Sequence, residues 1–145
     1  MGKKRIIAGS AKDVSDVKSP SDSAPLKGKK TILKGIIHVA STFNNTIVSV
    51  SDMQGNIVVW TSAGSMGFKG ARKSTPYAAT LIAKEAVERA KRFGLQEAKI
   101  VMKGIGSGRD AAIRGIVGTG ITVTAISDNT PQPHNGVKAA KPRRV

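Results

Sequence analysis

The sequence predicts an α/β fold: a five-stranded mixed sheet in the element order βββαβαβ, two helices, and extended tails at both ends. Three observations predict it. Up to residue 63, three β-branched runs, the first two with two-residue alternation, are separated by turn signals. From Thr75 to Gly94, apolar residues recur at helical spacing between a start signal and a stop signal. Beyond Gly94 the chain reads as strand, glycine-rich turn, short helix and strand.

Taken in order, ILKGIIHVAS (32–41) is the first strand, with Ile37 and Val39 two residues apart. TIVSVSD (46–52) alternates Ile47 or Val48 with Ser49 and Ser51, and NIVVWTSA (56–63) is the third run. DMQGN between the last two is a hairpin turn in which Gly55 can take positive φ. STFNN joins the first two in the same way, so the three form an antiparallel meander. Thr75 can cap the first helix, and Pro76 suits its first position. Ala79, Ile82, Ala83, Ala86, Ala90 and Phe93 make the apolar face; Lys84, Glu85, Glu88, Arg89 and Lys91 take the other side, and Gly94 ends the helix. EAKIVMKG (97–104) is the fourth strand, RDAAIRGIV (109–117) a short second helix, and GITVTAISD (120–128) the fifth strand. Helices between parallel strands imply right-handed crossovers, hence a mixed sheet with helices packed on it.

The chain divides into a basic, largely disordered N-terminal arm (1–33), an RNA-binding α/β core (34–128) and an extended basic C-terminal tail (129–145). The arm, rich in Ser, Asp, Lys and Pro, has no apolar period. It reads as a solvated segment or as one that orders on RNA.

Composition narrows the function. In 145 residues there are 24 Lys plus Arg against 9 Asp plus Glu, a formal charge of +15. That excess points to a polyanionic partner or an anionic membrane surface. No apolar run reaches membrane-spanning length, and no membrane partner is expected. The absence of Cys excludes disulfides and thiolate metal sites, and His38 and His134 are too few for a histidine-based one. No metal and no cofactor are expected. Asp52 and Asp128 lack further carboxylates for a two-metal hydrolytic site. Glu85 and Glu88 read as solvated ion-pair partners and His38 as a structural strand residue, so no enzyme activity is expected. Aromatic residues are too scarce for a broad base-stacking platform.

GSMGFKGARKST (64–75) looks built to hold phosphate. It is not a nucleotide P-loop: Lys73-Ser74 is preceded by Arg72 rather than glycine, and no glycine sits at the required earlier spacing. Gly106, Gly108 and Ala111 match a dinucleotide fingerprint after a strand, with Asp128 ending the next strand. Against it stand a helix of about three turns, Arg109 directly after the second glycine, no room for a substrate domain, and far more charge than a dinucleotide needs. The nucleic-acid reading uses both glycine-rich loops: each precedes a helix, whose N-terminus attracts phosphate, and Lys69, Arg72, Lys73, Arg109 and Arg114 supply charge. The two loops lie at opposite ends of a helix–strand unit or along one edge. A small nucleotide-binding enzyme and a general DNA-compacting protein are the rival classes.

FNNTIV (43–48), GFKGARKSTPYAA (67–79) and SDNTPQPHNG (127–136) together resemble the S-eleven family of small-subunit ribosomal proteins, in bacterial or organellar form. The resemblance runs from about Gly35 to the C-terminus. It implies a ribonuclease H-like fold without a catalytic metal site, and a structural role in the platform of the small subunit. There the family bridges small-subunit rRNA helices near the mRNA exit and Shine-Dalgarno region, supporting assembly and translation. The neighbours implied are proteins S-seven, S-eighteen and, in many bacteria, S-twenty-one, with no homo-oligomer. The location implied is the ribosome, in the cytoplasm or in an organellar matrix or stroma. Carried over by motif, Phe43, Asn44 and Asn45 are an RNA-contacting turn. Lys69, Arg72, Lys73 and Ser74 fall in the phosphate-binding segment, and His134, Asn135 and Gly136 in the tail motif. Lys138, Lys141, Arg143 and Arg144 form the basic end after that motif. The chain has GIGSGR where the family often has G-P-G-P-G-R, VKAAKPRRV where bacterial members commonly run C-R-P-P-K, and an acid-spotted arm where theirs is uniformly basic. Asn135 before Gly136 is a deamidation candidate, since glycine does not hinder attack by its own backbone nitrogen; the resemblance adds that bacterial relatives can carry isoaspartate there.

Overall fold

A computed structural model describes residues 31–138, 140 and 141. The arm up to residue 30, and Arg143 and Arg144 at the other end, lie outside the described residues. The elements are β1 (Lys34–Ser41), β2 (Thr46–Asp52), β3 (Ile57–Ser62), a 3-10 turn (Gly70–Ser74), α1 (Pro76–Lys91), β4 (Glu97–Lys103), α2 (Gly108–Val117) and β5 (Thr122–Asp128). The order is the βββαβαβ expected. The 3-10 turn is an addition.

The sheet runs β3-β2-β1-β4-β5, the ribonuclease H-like arrangement. β1, β2 and β3 form the antiparallel meander, with Val39 opposite Val48 and Val50 opposite Val59. β4 pairs parallel with β1 and β5 parallel with β4. Gly55 turns the β2–β3 hairpin at φ 92°, as its position requires.

The path β3-α1-β4-α2-β5 steps across the sheet in one direction between parallel strands. With right-handed crossovers, both helices land on the same face. The strand alternation obeys this: Ile37, Val39, Val48, Val50, Val59, Ala98 and Ile100 point under the helices and are buried. The other face carries Ile47, Trp60 and Lys99, all exposed. α1 buries Ala78, Ala79, Ile82, Ala83, Ala86, Val87 and Ala90. Its many alanines let the helices approach closely. At their crossing, a Cβ on Gly115 would stand 2.7 Å from the Thr80 carbonyl oxygen. The half-buried Thr80 hydroxyl donates to the Ala111 carbonyl (3.2 Å), and the buried Thr61 hydroxyl to the Ile82 carbonyl (3.2 Å), so both are satisfied. Burying each Ile or Val side chain contributes about 1.5–3 kcal/mol.

α1 begins as expected: the Thr75 hydroxyl accepts from the Ala78 N–H (3.3 Å), and Pro76 is its first residue. It closes around Gly94 (φ 90°), whose N–H reaches the Lys91 carbonyl (2.9 Å) while the Leu95 N–H reaches that of Ala90 (3.4 Å). This is a Schellman closure, which needs the left-handed conformation that glycine takes without strain.

Candidate nucleic-acid interface

The topology decides where the glycine-rich loops lie. Both follow strands that run parallel, β3 and β4, and both lead into helices packed on the same face. Their helix N-termini must therefore share the edge where the parallel strands end, the edge at which open α/β sheets bind ligands. The β1–β2 turn sits on that edge too, because β1 is parallel to β4. The Ser107 hydroxyl joins the two loops by donating to the Ser74 carbonyl (3.1 Å). The Gly106 N–H ties the second loop to the end of β1 through the Ser41 carbonyl (3.0 Å). One edge thus gathers the Phe43 turn, the loop from Ala63 to Thr75, the loop from Gly104 to Ser107 and the root of the tail.

The first loop is braced at its base and open at its tip. The Ser62 N–H donates to the Ser65 hydroxyl (2.9 Å), which donates back to the Ser62 carbonyl (2.8 Å). The Phe68 N–H returns to the Ala63 carbonyl (3.1 Å). The Phe68 ring meets Tyr77 edge to face, with centroids 6.4 Å apart. Gly67 (φ 83°) and Gly70 (φ 57°) turn the tip, and a Cβ on either would meet nothing within 4 Å. Lys69 and Arg72 are exposed, Lys73 and Ser74 half-buried. Among the described residues, no carboxylate lies within ion-pair distance of Lys69, Arg72 or Lys73. Met66, Gly67, Phe68, Lys69 and Arg72 line a shallow concavity.

The backbone N–H groups at the start of α1, expected to attract phosphate, are largely taken up within the chain. Pro76 has no N–H, the Ala78 N–H is on the Thr75 hydroxyl (3.3 Å), and the Ala79 N–H is on the Thr75 carbonyl (3.1 Å).

The second loop is built differently. A Cβ on Gly104 would fall 2.1 Å from the Ser41 carbonyl oxygen, one on Gly106 2.4 Å from that of Thr42, and one on Gly108 2.6 Å from the Thr46 hydroxyl. These glycines admit the β1–β2 turn, not a phosphate. The dinucleotide reading fails on the same ground, since protein fills the space a pyrophosphate would need. Arg109 is committed as well: Nη1 donates to the Gly104 carbonyl (2.9 Å), and Nη2 pairs with the Asp128 carboxylate. Arg114 is exposed in the last turn of α2, roughly 7 Å further along the axis than Arg109. It is the candidate site residue farthest from the first loop along this helix.

The β1–β2 turn is held by the Thr42 hydroxyl, which accepts from the Asn45 N–H (3.1 Å), while Asn45 Oδ1 accepts from the Thr46 N–H (3.0 Å). This presents Asn44 and Phe43 outward, the Phe43 ring 70% exposed. In the tail, His134, Asn135, Lys138 and Lys141 are exposed. Asn135 has φ 56°, the left-handed region, with Gly136 next.

Sequence reasoning missed Lys103, exposed at the end of β4, and Ser107, which joins the loops. Strand parity predicts Lys103, because Lys99, Val101 and Lys103 alternate with the buried Ile100. It also missed the carboxylate of Asp128. That group is held below the usual aspartate range first by the Thr130 hydroxyl, then by the Thr130 N–H, with the Arg109 guanidinium adding to both. His38 proves structural, its Nε2 within hydrogen-bond distance of the Ser51 hydroxyl (3.1 Å), and Glu85 pairs with Arg89 (2.6 Å).

Two comparisons bear on this edge. The family described as ribosomal protein S11 matches residues 35–144. The small ribosomal subunit protein uS11 of Aquifex aeolicus (strain VF5) is 53% identical over 119 residues, which cover 82% of this chain and 95% of that relative.

Proposed function

The chain belongs to the ribosomal protein S11 family, a family of structural ribosomal proteins rather than enzymes, and from that premise we propose that it binds small-subunit rRNA through the loop-bearing edge of its sheet. The observation that carries the proposal is the first loop. Lys69, Arg72 and Lys73 stand without carboxylate partners among the described residues, beside glycines whose surroundings are empty. Cations of that kind neutralise RNA phosphates and fix register, while the folded shape of the RNA supplies specificity. Phe43, Asn44 and Asn45 lie on the same edge and add a turn that reaches an unpaired base or the sugar edge of a groove. Ser74 helps hold the loop. Arg114, His134, Asn135, Lys138, Lys141, Arg143 and Arg144 extend the contact.

On this reading residues 34–128 are the RNA-binding core, and the arm and tail are its extensions. The core sits in the platform, bridges rRNA helices near the mRNA exit, and lies beside proteins S-seven, S-eighteen and, where the ribosome is of the bacterial kind that has it, S-twenty-one. The ribosome is cytoplasmic or organellar.

Binding to a central-domain rRNA fragment, an unrelated RNA of equal length and a DNA duplex, each titrated with salt, tests the proposal. With roughly 6–10 phosphates neutralised, affinity falls about 10³–10⁵-fold between roughly 50 and 200 mM salt. A large advantage for the ribosomal fragment at the higher salt supports it. If all three ligands fade together, the protein is a general nucleic-acid binder.

Asn135 is proposed to convert to isoaspartate. Its side chain is exposed and Gly136 leaves the attacking nitrogen unhindered. Peptide mass spectrometry of aged ribosomes checks this, and intact Asn135 throughout sinks it.

A further inference from the structure

The root of the C-terminal tail, at the start of the SDNTPQPHNG motif, carries a constellation to which the sequence reading gave no role. Asp128 ends β5 with one carboxylate oxygen on the Arg109 guanidinium. Its other oxygen, Oδ1, accepts from the Thr130 N–H (2.9 Å) and from the Thr130 hydroxyl (2.5 Å). The Thr130 hydroxyl oxygen also accepts from the Gly104 N–H (3.1 Å), and the Asn129 N–H reaches the Met102 carbonyl (2.8 Å). Arg109 closes the ring by donating to the Gly104 carbonyl (2.9 Å). Three chain segments are thereby fastened at one point: the end of β4, the start of α2 and the first two residues of the tail. From there the chain runs through Pro131 and Pro133, whose fixed φ limits its freedom to turn. The direction set at Thr130 is therefore held as far as Pro133, at the head of the segment that carries Lys138 and Lys141.

We infer that Asp128, Arg109 and Thr130 form a clasp that aims the basic tail, so that Asp128, an acid on the RNA-facing edge, promotes RNA binding as a positioning residue. The inference rests on the rRNA-binding reading of this edge. It also reassigns Arg109 from phosphate contact to the clasp. The carboxylate is charged at neutral pH, since the Thr130 hydroxyl and N–H hold it below the usual aspartate range, so the clasp is made under working conditions.

Charge alone predicts the opposite sign, which makes the idea testable. Removing a carboxylate from an RNA-binding edge strengthens binding if only charge matters. Asp128→Asn and Asp128→Ala remove the same charge, but Asn retains an oxygen for the Thr130 N–H and hydroxyl. In the full chain, Asp128→Ala is expected to bind the central-domain rRNA fragment about tenfold more weakly than Asp128→Asn, within the range of coupling energies between contacting groups. In a chain whose tail cations Lys138, Lys141, Arg143 and Arg144 are all changed to Ala, that difference should vanish. Thr130→Val, which removes only the hydroxyl, should reproduce part of the loss. Amide exchange in the free protein checks the clasp without RNA: protection at Gly104, Asn129 and Thr130 should fall in Asp128→Ala, with the amides of β1 unchanged. Equal affinities for the Ala and Asn variants, or a difference that survives tail neutralisation, overturn the inference while leaving rRNA binding intact. Failure of the unaltered chain to prefer the ribosomal fragment overturns the rRNA-binding reading, and the clasp then stands or falls on the exchange result.

Discussion

The two glycine-rich loops lie side by side on one edge of the sheet, joined by the Ser107–Ser74 hydrogen bond, and their glycines answer different demands. In the first loop Gly67 and Gly70 have positive φ and nothing within 4 Å of an added Cβ, and the cations between and after them have no carboxylate partner among the described residues. In the second loop an added Cβ on Gly104, Gly106 or Gly108 would run into Ser41, Thr42 or Thr46, and Arg109 is paired with Asp128. One loop leaves room for a ligand. The other has already been filled by the protein, and serves the first by holding it and the Phe43 turn in place. A glycine-rich, basic loop before a helix is therefore not by itself a phosphate site; what decides is who occupies the space the glycines leave.

The sharpest way to break the comparison is to add a methyl group in the second loop. Gly104→Ala combines left-handed strain at φ 103° with a Cβ 2.1 Å from the Ser41 carbonyl oxygen, a backbone atom that cannot swing aside. We expect a loss of roughly 3–5 kcal/mol, from backbone strain and overpacking together. For a core of this size that is a fall in Tm of roughly 15–25 °C. A melting temperature within a degree or two of the unaltered protein would show that the second loop is not packed as described.

The matching change in the first loop should act on binding and spare the fold. Replacing Lys69, Arg72 and Lys73 by Ala removes three cations, and the slope of log affinity against log salt should become shallower by roughly 2–3. If the two binding curves converge near about 1 M salt, that amounts to a loss of about 10²–10³-fold in affinity at about 0.1 M. Stability should change by no more than about 0.5 kcal/mol at each of the exposed Lys69 and Arg72, and by about 1 kcal/mol at most at the half-buried Lys73. If melting collapses and the salt slope holds, the roles of the two loops are reversed.

A weaker effect separates conformation from crowding. Gly67→Ala and Gly70→Ala meet no atoms but still place a side chain at positive φ. Each should cost about 1 kcal/mol, comparable to the loss of the Thr75 cap in Thr75→Ala. Urea unfolding resolves changes of this size. A loss as large as that for Gly104→Ala would mean that the first loop is packed after all.

Much of this was legible in the sequence, for reasons that can be stated residue by residue. Alternation in β1 and β2 marked the strands, because each has one face under helices and one open. Thr75, Pro76, Gly55 and Gly94 announced the ends of elements through backbone chemistry that only a few residue types provide. The 3-10 turn at Gly70–Ser74 was not legible, since so short an element carries no repeat. Phe93 read as helical by its spacing, whereas α1 ends at Lys91 and Phe93 belongs to the closing turn around Gly94. That both loops share an edge follows from parallel pairing and right-handed crossovers, and was available from the topology already read. The split between the loops was not, because glycine reports that space is needed and not what fills it. Nor was the Arg109–Asp128 pair, whose members are 19 residues apart in different elements. Local patterns do not register such a contact.

Acid offers the gentlest probe, and it too divides the regions. Asp128 is held below the usual aspartate range first by the Thr130 hydroxyl, and Asp52, on the opposite edge, first by the Asn56 side chain. A carboxyl whose pKa is depressed in the folded state stabilises the fold above its unfolded value, and that contribution is lost as pH falls through the folded one. The unfolded value lies near 4, so both contributions are complete at neutral pH and disappear below about pH 4. Stability measured by urea unfolding should therefore be flat around neutrality with respect to these two groups and fall in acid. Asp128→Asn should remove one share of the acid sensitivity and Asp52→Asn another. The Lys69, Arg72 and Lys73 variants should keep all of it, because no carboxylate answers those cations among the described residues. If instead their acid limb flattens, a carboxylate pairs with the first loop in solution, and the loop is less free for phosphate than its surroundings imply.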